Sequence, residues 1–133
     1  MSFLIDSSAL IHLLRDRTGT LAARYDSLIG DNPVALSRIT AFEILKGAKT
    51  EQEWRGLMKL LSEETLLAPA DADWVAAART VFDLQRNGIT LSASIDCVVA
   101  EAALTRGWTL VHDDKDFERI ATVRPLKLQR FQP

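Results

Sequence analysis

The sequence predicts an α/β domain of three layers, α/β/α, built on a mainly parallel five-stranded sheet. Three observations carry this expectation. Short apolar runs of strand length alternate with longer segments whose apolar residues recur at the helical period. The runs at residues 3–6 and 108–111 are apolar without alternation, as in strands covered on both faces. A helical segment stands between successive runs, which is what crossovers in a parallel sheet require.

The first strand spans residues 3–6 and ends on Asp6. Helix 8–15 follows with Leu10, Leu13 and Leu14 on one side, and helix 20–29 carries Leu21, Tyr25, Leu28 and Ile29. The second strand, 34–37, comes after Pro33 in a loop, where proline does no harm. Helix 39–48 presents Ile39, Phe42 and Leu45, with Gly47 near its end, and helix 50–62 presents Trp54, Leu57, Met58 and Leu61. The third strand covers 64–67. Helix 71–86 then carries Trp74, Val75, Ala78, Val81 and Phe82 and stops at Asn87-Gly88, a strong C-terminal signal. Helix 94–105 carries Ile95, Val98, Val99, Ala102 and Ala103 and stops at Gly107. The fourth strand covers 108–111, a short helix 116–121, and the fifth strand 126–128.

The 133 residues, 47% of them apolar, fit one domain over 1–133 with one well-buried core. No apolar stretch approaches a membrane span, and the first strand starts too early for a signal peptide. The only cysteine, Cys97, excludes an internal disulfide and fits a reducing cytosol, so a cytoplasmic protein is expected. The formal charge of −2 does not mark a global nucleic-acid binder. Any phosphate must be met by local basic residues or by a bound cation. Basic residues gather at Lys115, Arg119, Arg124, Lys127 and Arg130, and Arg38 and Lys46 flank Glu43.

Four carboxylates sit where such a fold brings groups together: Asp6 in FLIDSSALI, Glu43 in RITAFEILKG, Asp96 in SIDCVVAEAA and Asp114 in LVHDDKDF. Asp6 and Asp114 lie at or just beyond the ends of strands, and ligands of parallel sheets collect outside those carboxyl ends. Clustered carboxylates must take up protons or hold a cation. An all-oxygen site suits Mg²⁺ or Mn²⁺, and the matching chemistry is metal-assisted attack on a phosphodiester. The plain alternative for Asp6 is a helix cap, because it directly precedes a helix.

The four segments together resemble the PIN domain, in particular the VapC-type toxins of toxin–antitoxin pairs, over essentially the whole chain. FLIDSSALI is similar to the family's first motif. SRITAFEILKG is similar to its second. SIDCVVAEAALTRGWTLVHDDKDFERIA is similar to its third and fourth run together, ending in Asp-x-Asp-Phe. The resemblance implies a Mg²⁺- or Mn²⁺-dependent endoribonuclease acting on single-stranded or loop RNA, with Asp6, Glu43, Asp96 and Asp114 as its acids. It also implies a cognate antitoxin of the VapB kind and a homodimer, for which the helix carrying Trp54 to Leu61 is a candidate face. Two rival readings are a PIN nuclease of RNA maturation without an antitoxin, and a non-catalytic RNA- or metal-binding module.

Within the implied site, Asp6, Asp96 and Asp114 are the expected metal ligands, direct or through water. Glu43 would orient the attacking water, accept its proton or help hold a second metal. Ser8 and Thr40 are candidates to hydrogen-bond these carboxylates, with helix capping the alternative for Thr40. Asp116 is expected to cap the last helix or support the site, and Asp113 to be a solvated loop acid. Glu101 is placed outside the cluster, five residues past Asp96. Residues 91–94, Leu-Ser-Ala-Ser, lack the basic residue that the family often carries before its third acid. Cys97 is read as core, His12 as a rim residue and His112 as a loop residue near the site. Trp54, Trp74 and Trp108 are read as core or interface anchors.

Overall fold

The computed structural model describes residues 1–133. In chain order the elements are β1 (Phe3–Ile5), α1 (Ser7–Arg15), α2 (Thr20–Ile29), β2 (Val34–Ser37), α3 (Arg38–Lys46), α4 (Glu51–Ser62) and β3 (Leu66–Leu67). There follow α5 (Asp71–Arg86), α6 (Asp96–Arg106), β4 (Thr109–His112), α7 (Lys115–Ile120) and β5 (Lys127–Arg130). The strands form one sheet in the order β3-β2-β1-β4-β5, and every pair is parallel. The expected five strands are all present. The third is only two residues long, and the fifth lies slightly later in the chain than expected.

The pleat of β1 divides the core. Leu4 points into a cluster with Ala77 and Leu84 of α5, Val99 and Ala103 of α6, and Phe117 and Ile120 of α7. Phe3 and Ile5 point the other way, to Ala9 of α1, Leu21 and Ile29 of α2, Ala41 of α3 and Leu61 of α4. Successive strand residues face opposite sides, so a run apolar throughout feeds two helical layers at once. Cys97 is buried in the first cluster, as expected. Gly88 and Gly107 take positive φ just past α5 and α6, where the left-handed conformation ends a helix without a Cβ penalty. No helix is long and apolar enough to cross a membrane.

Phe42, on the apolar stripe that the helical period predicts for α3, is not in the core, and of the two alternatives for Trp54 and Trp74, core or interface anchor, the core is excluded within this chain. Phe42 of α3 is 65% exposed, Trp54 of α4 43% and Trp74 of α5 48%. Helices α3 and α4 are short, and each buries a narrow stripe: Ala41 and Ile44 on α3, Leu61 on α4. The helical period admitted Phe42 to that stripe; packing did not. His112 moves the other way. It is the last residue of β4, fully buried, with its ring edge-on to Phe117 at 5.4 Å.

Phe117 is the largest fully buried side chain. Phe117→Ala should cost about 3–5 kcal/mol in urea unfolding. Phe42→Ala should shift stability by no more than about 0.5 kcal/mol.

Candidate metal centre

Asp6 follows β1 and ends it. Its backbone is extended, and its Oδ2 accepts the Ser8 amide at 3.0 Å, so it caps α1. The Ser8 hydroxyl also donates to Oδ2 at 2.6 Å and itself accepts the Asp113 amide at 2.9 Å. The capping alternative is therefore realised by one oxygen alone. Asp6 Oδ1 is buried without a partner. Burial pushes the Asp6 carboxyl above the ordinary range against the pull of Ser8, and Asp114 adds to the rise.

Asp96 opens α6, after Ile95 has already turned into the helical conformation. It too is buried, and its Oδ2 has no partner. Burial first, then the charges of Asp6, Asp114 and Asp116, push it up to about 8. Asp114 follows β4 and caps α7, its Oδ1 accepting the Asp116 amide at 2.9 Å, while its own amide donates to His112 Nδ1 at 3.1 Å. Asp116 is thus not the cap. It is fully buried and accepts the Ser92 amide at 3.0 Å, the Ala93 amide at 2.8 Å and Arg119 Nη1 at 2.8 Å. Burial works to raise Asp116, but these donors win and hold it below the usual range. The segment that lacks the family's basic residue thus supplies backbone donors to an acid.

Glu43 projects from α3, half-buried, and its Oε1 accepts the Ser7 hydroxyl at 3.3 Å. Burial and then Asp6 raise it, with Lys46 partly offsetting them. Thr40 is not a cap, because Ser37 Oγ accepts the Ile39 amide and fills that role. Thr40 Oγ1 is buried with no partner and makes no bond to a carboxylate.

Oxygens of Asp96, Asp114 and Asp116 lie within 4.8 Å of one another. Asp6 stands outside this tightest triple but acts on Asp96 and Glu43 through its charge. Of the four acids singled out in the sequence, Asp6, Asp96 and Asp114 act on one another through their charges, and Glu43 is within reach of Asp6 and Asp114. Asp116 belongs to the cluster more closely than its sequence position suggested, and the Asp-x-Asp spacing was the available signal. Ser7 was missed as the partner of Glu43. Glu101 is buried but outside the cluster, as expected. Asp113 is no solvated loop acid. Its Oδ2 accepts His12 Nε2 at 2.6 Å, and its Oδ1 accepts Arg130 Nε at 2.8 Å.

The donor set fits a hard divalent cation. It is all carboxylate, and two buried oxygens, one each on Asp6 and Asp96, have no hydrogen-bond partner. Beside Glu43 runs an apolar groove of about 500 Å³ between α1, α3 and α4, lined by Ile11, Leu14, Ile44, Leu57 and Leu60, with Glu53 and Arg15 as its other charged residues.

Without metal, the raised Asp96 carboxyl keeps its proton in the folded state after the unfolded chain has lost it. Its contribution to stability is present below pH 4 and is lost as pH rises toward about 8. His112, lowered chiefly by burial, works in the opposite sense near pH 6.5. The difference between wild type and Asp96→Asn isolates Asp96. In EDTA, urea unfolding should show the variant gaining on wild type by up to about 1.4 kcal/mol per pH unit between pH 5 and 8.

A PIN domain family model matches residues 3–123. The chain is 33% identical to ribonuclease VapC11 of Mycobacterium tuberculosis over 133 residues, covering 97% of this chain and 98% of that protein. It is 23% identical to ribonuclease VapC1 of Haemophilus influenzae, covering 93% and 96%. Its fold is similar to VapBC2 from Rickettsia felis bound to a promoter DNA fragment, with a TM-score of 0.81 and 18% identity over 99% of this chain and 100% of that one. It is also similar to VapBC-1 from nontypeable Haemophilus influenzae, with a TM-score of 0.79 and 24% identity over 98% of each. The acidic site at the head of the sheet and the match along nearly the whole chain have one reading: the protein belongs to the PIN domain family.

Proposed function

We propose that this protein is a Mg²⁺- or Mn²⁺-dependent endoribonuclease of the VapC type, silenced by a cognate antitoxin. The observation that carries the reading is the pair of buried carboxylate oxygens on Asp6 and Asp96 without a hydrogen-bond partner, in a chain one-third identical to a ribonuclease. Asp96 and Asp114 are the core ligands. For the third, Asp6 is favoured over Asp116: Asp6 Oδ1 has nothing to lose, whereas Asp116 would give up part of its bonding to two amides and an arginine. The bound cation would neutralise phosphate charge and lower the pKa of an attacking water. Ser8 holds Asp6 in place from behind, and Ser7 does the same for Glu43. Glu43, with its raised carboxyl, is the group placed to take the proton as water attacks phosphorus and the bond to the 3′-oxygen breaks. The products are a 5′-phosphate and a 3′-hydroxyl. The buried, lone Cys97 suits a cytoplasmic enzyme.

The proteins of similar fold, VapBC2 and VapBC-1, are VapBC assemblies, and the groove beside Glu43 has the chemistry to take an antitoxin segment. Its apolar floor suits aliphatic or aromatic side chains. Glu43 and Glu53 at its margin suit an arginine, whose planar fork can pair a carboxylate.

RNA cleavage should vanish in excess EDTA and return with Mn²⁺ or Mg²⁺. Asp96→Asn and Asp6→Asn should each lower the rate at least about 100-fold, while the metal-free melting temperature holds or rises. Cleavage undiminished by EDTA would sink the metal reading, and a large fall in melting temperature would make the aspartates structural caps.

Leu14→Asp, at the exposed lip of the groove, should leave RNA cleavage intact. It should weaken inhibition by the product of the neighbouring gene at least about tenfold in a titration of activity. Equal inhibition of both forms, or the absence of any inhibitory neighbour, would favour an RNA-maturation nuclease.

A further inference from the structure

Phe42 is the most exposed aromatic side chain of the molecule, and its neighbour in the chain is Glu43. A single exposed apolar residue is ordinary. The setting of this one is not. Arg38 and Lys46 stand one turn before and one turn after it, so the three form one stripe along α3. Both cations are exposed, and neither makes an ion pair or a side-chain hydrogen bond. Lys46 Nζ lies 5.8 Å from the Phe42 ring centroid, at the outer edge of a cation–π contact. Lys46 is also close enough to Glu43 to act on its charge.

Phe82 of α5 provides a contrast. It too is exposed and flanked by arginines, Arg79 at 4.7 Å and Arg86 at 5.6 Å from its ring. There, however, the next residue is Asp83, whose carboxylate already holds Arg79 at 3.1 Å and Arg124 at 2.7 Å. Only on α3 does an exposed ring stand between two uncommitted cations and adjoin the acidic cluster.

We infer that Arg38, Phe42 and Lys46 form a substrate subsite, in which one unpaired base of a single-stranded RNA stacks on the Phe42 ring and the flanking phosphates meet Arg38 and Lys46. The inference rests on the ribonuclease reading and extends it. Sequence-tolerant grip on single strands needs an aromatic face for a base and cations at the spacing of the backbone. A net charge of −2 and an acidic centre repel RNA, so local cations beside the reacting carboxylates must bring the strand in. A duplex offers no free base face, so the subsite selects unpaired RNA without reading its sequence.

The test uses the full chain carrying Asp96→Asn, which prevents cleavage, and a fluorescent unstructured 12-nucleotide RNA followed by anisotropy in Mg²⁺. Adding Phe42→Ala should weaken binding on the order of tenfold, and Phe42→Trp should restore it. Arg38→Gln and Lys46→Gln should each flatten the salt dependence by about 0.7 in log–log slope. Phe82→Ala should change nothing, and Phe42→Ala should leave binding of the corresponding RNA duplex unchanged. In the active enzyme, Phe42→Ala should raise KM and leave kcat within about twofold. If RNA is cleaved but Phe42→Ala binds and cleaves as its parent does, the subsite is wrong and the ribonuclease reading stands. Equal loss in Phe82→Ala overturns it as well. So does a loss that tracks conversion of a dimer to a monomer by light scattering, which assigns Phe42 to a self-contact. If the parent neither binds nor cleaves RNA with Mn²⁺ present, both readings fall together.

Discussion

The Asp6 amide donates to the Val111 carbonyl at 2.9 Å, carrying the β1–β4 ladder one residue beyond the Ile5–Val111 pairing. That parallel register sets where the acids stand. It brings the end of the first strand level with the end of the fourth, although more than a hundred residues separate them in the chain. The sheet changes direction here, since β2 lies on one side of β1 and β4 on the other. Asp6 and Asp114 therefore leave the sheet at one crevice. The Ser8 hydroxyl then ties the two exits together, giving its proton to Asp6 and accepting the Asp113 amide.

A crevice with so much carboxylate is unfavourable by itself, and the fold manages it by dividing labour among oxygens. Asp6 and Asp114 each commit one oxygen to a helix cap, which fixes the side chain and keeps the other free. Asp116 is neutralised by amides and by Arg119, so it adds an acid to the cluster at less cost than an unpaired one. Asp96 has no such compensation, and burial with its acidic neighbours pushes it up to about 8. A buried oxygen without a hydrogen-bond partner costs on the order of 1–3 kcal/mol. A cation entering the crevice would recover that cost at both orphaned oxygens, so the residues that burden the metal-free protein are also the ones that could bind it.

Two surfaces meet at Glu43, and they differ in kind. The groove between α1, α3 and α4 is apolar, with Glu43, Glu53 and Arg15 at its margins, which suits an apolar peptide that can pair with those charges. The outer stripe of α3 is cationic and aromatic, which suits a polyanion with free bases. One short helix can serve both because its period separates Ile44, buried in the groove wall, from Phe42, exposed beside it. Inhibitor and substrate would then approach the same carboxylate from opposite sides of α3.

The order and kind of nearly every element was written in the sequence. The apolar runs, the 3.6-residue period and the punctuation by Asn87-Gly88 and Gly107 are local properties of the chain, and local properties are legible. The four principal acids were legible for the same reason: Asp6, Asp96 and Asp114 stand at or near the ends of apolar elements, and Glu43 stands between Phe42 and Ile44. What the sequence could not decide was which way a side chain turns and what it meets. Phe42 satisfied the helical period and yet faces out, because α3 packs through Ala41 and Ile44. Asp113 looked like a loop acid, yet it holds His12 from α1 and Arg130 from β5, contacts that span 101 and 17 residues. Asp116 read either as a cap or as a support of the site, and its partners decide for the second: besides Arg119 they are Ser92 and Ala93, from a loop 24 and 23 residues away. By itself the sequence determined the elements and the inventory of acids, because both depend on near neighbours. Only the tertiary structure decided the hydrogen bonds and the exposures, because those depend on residues that the register of the sheet brings together.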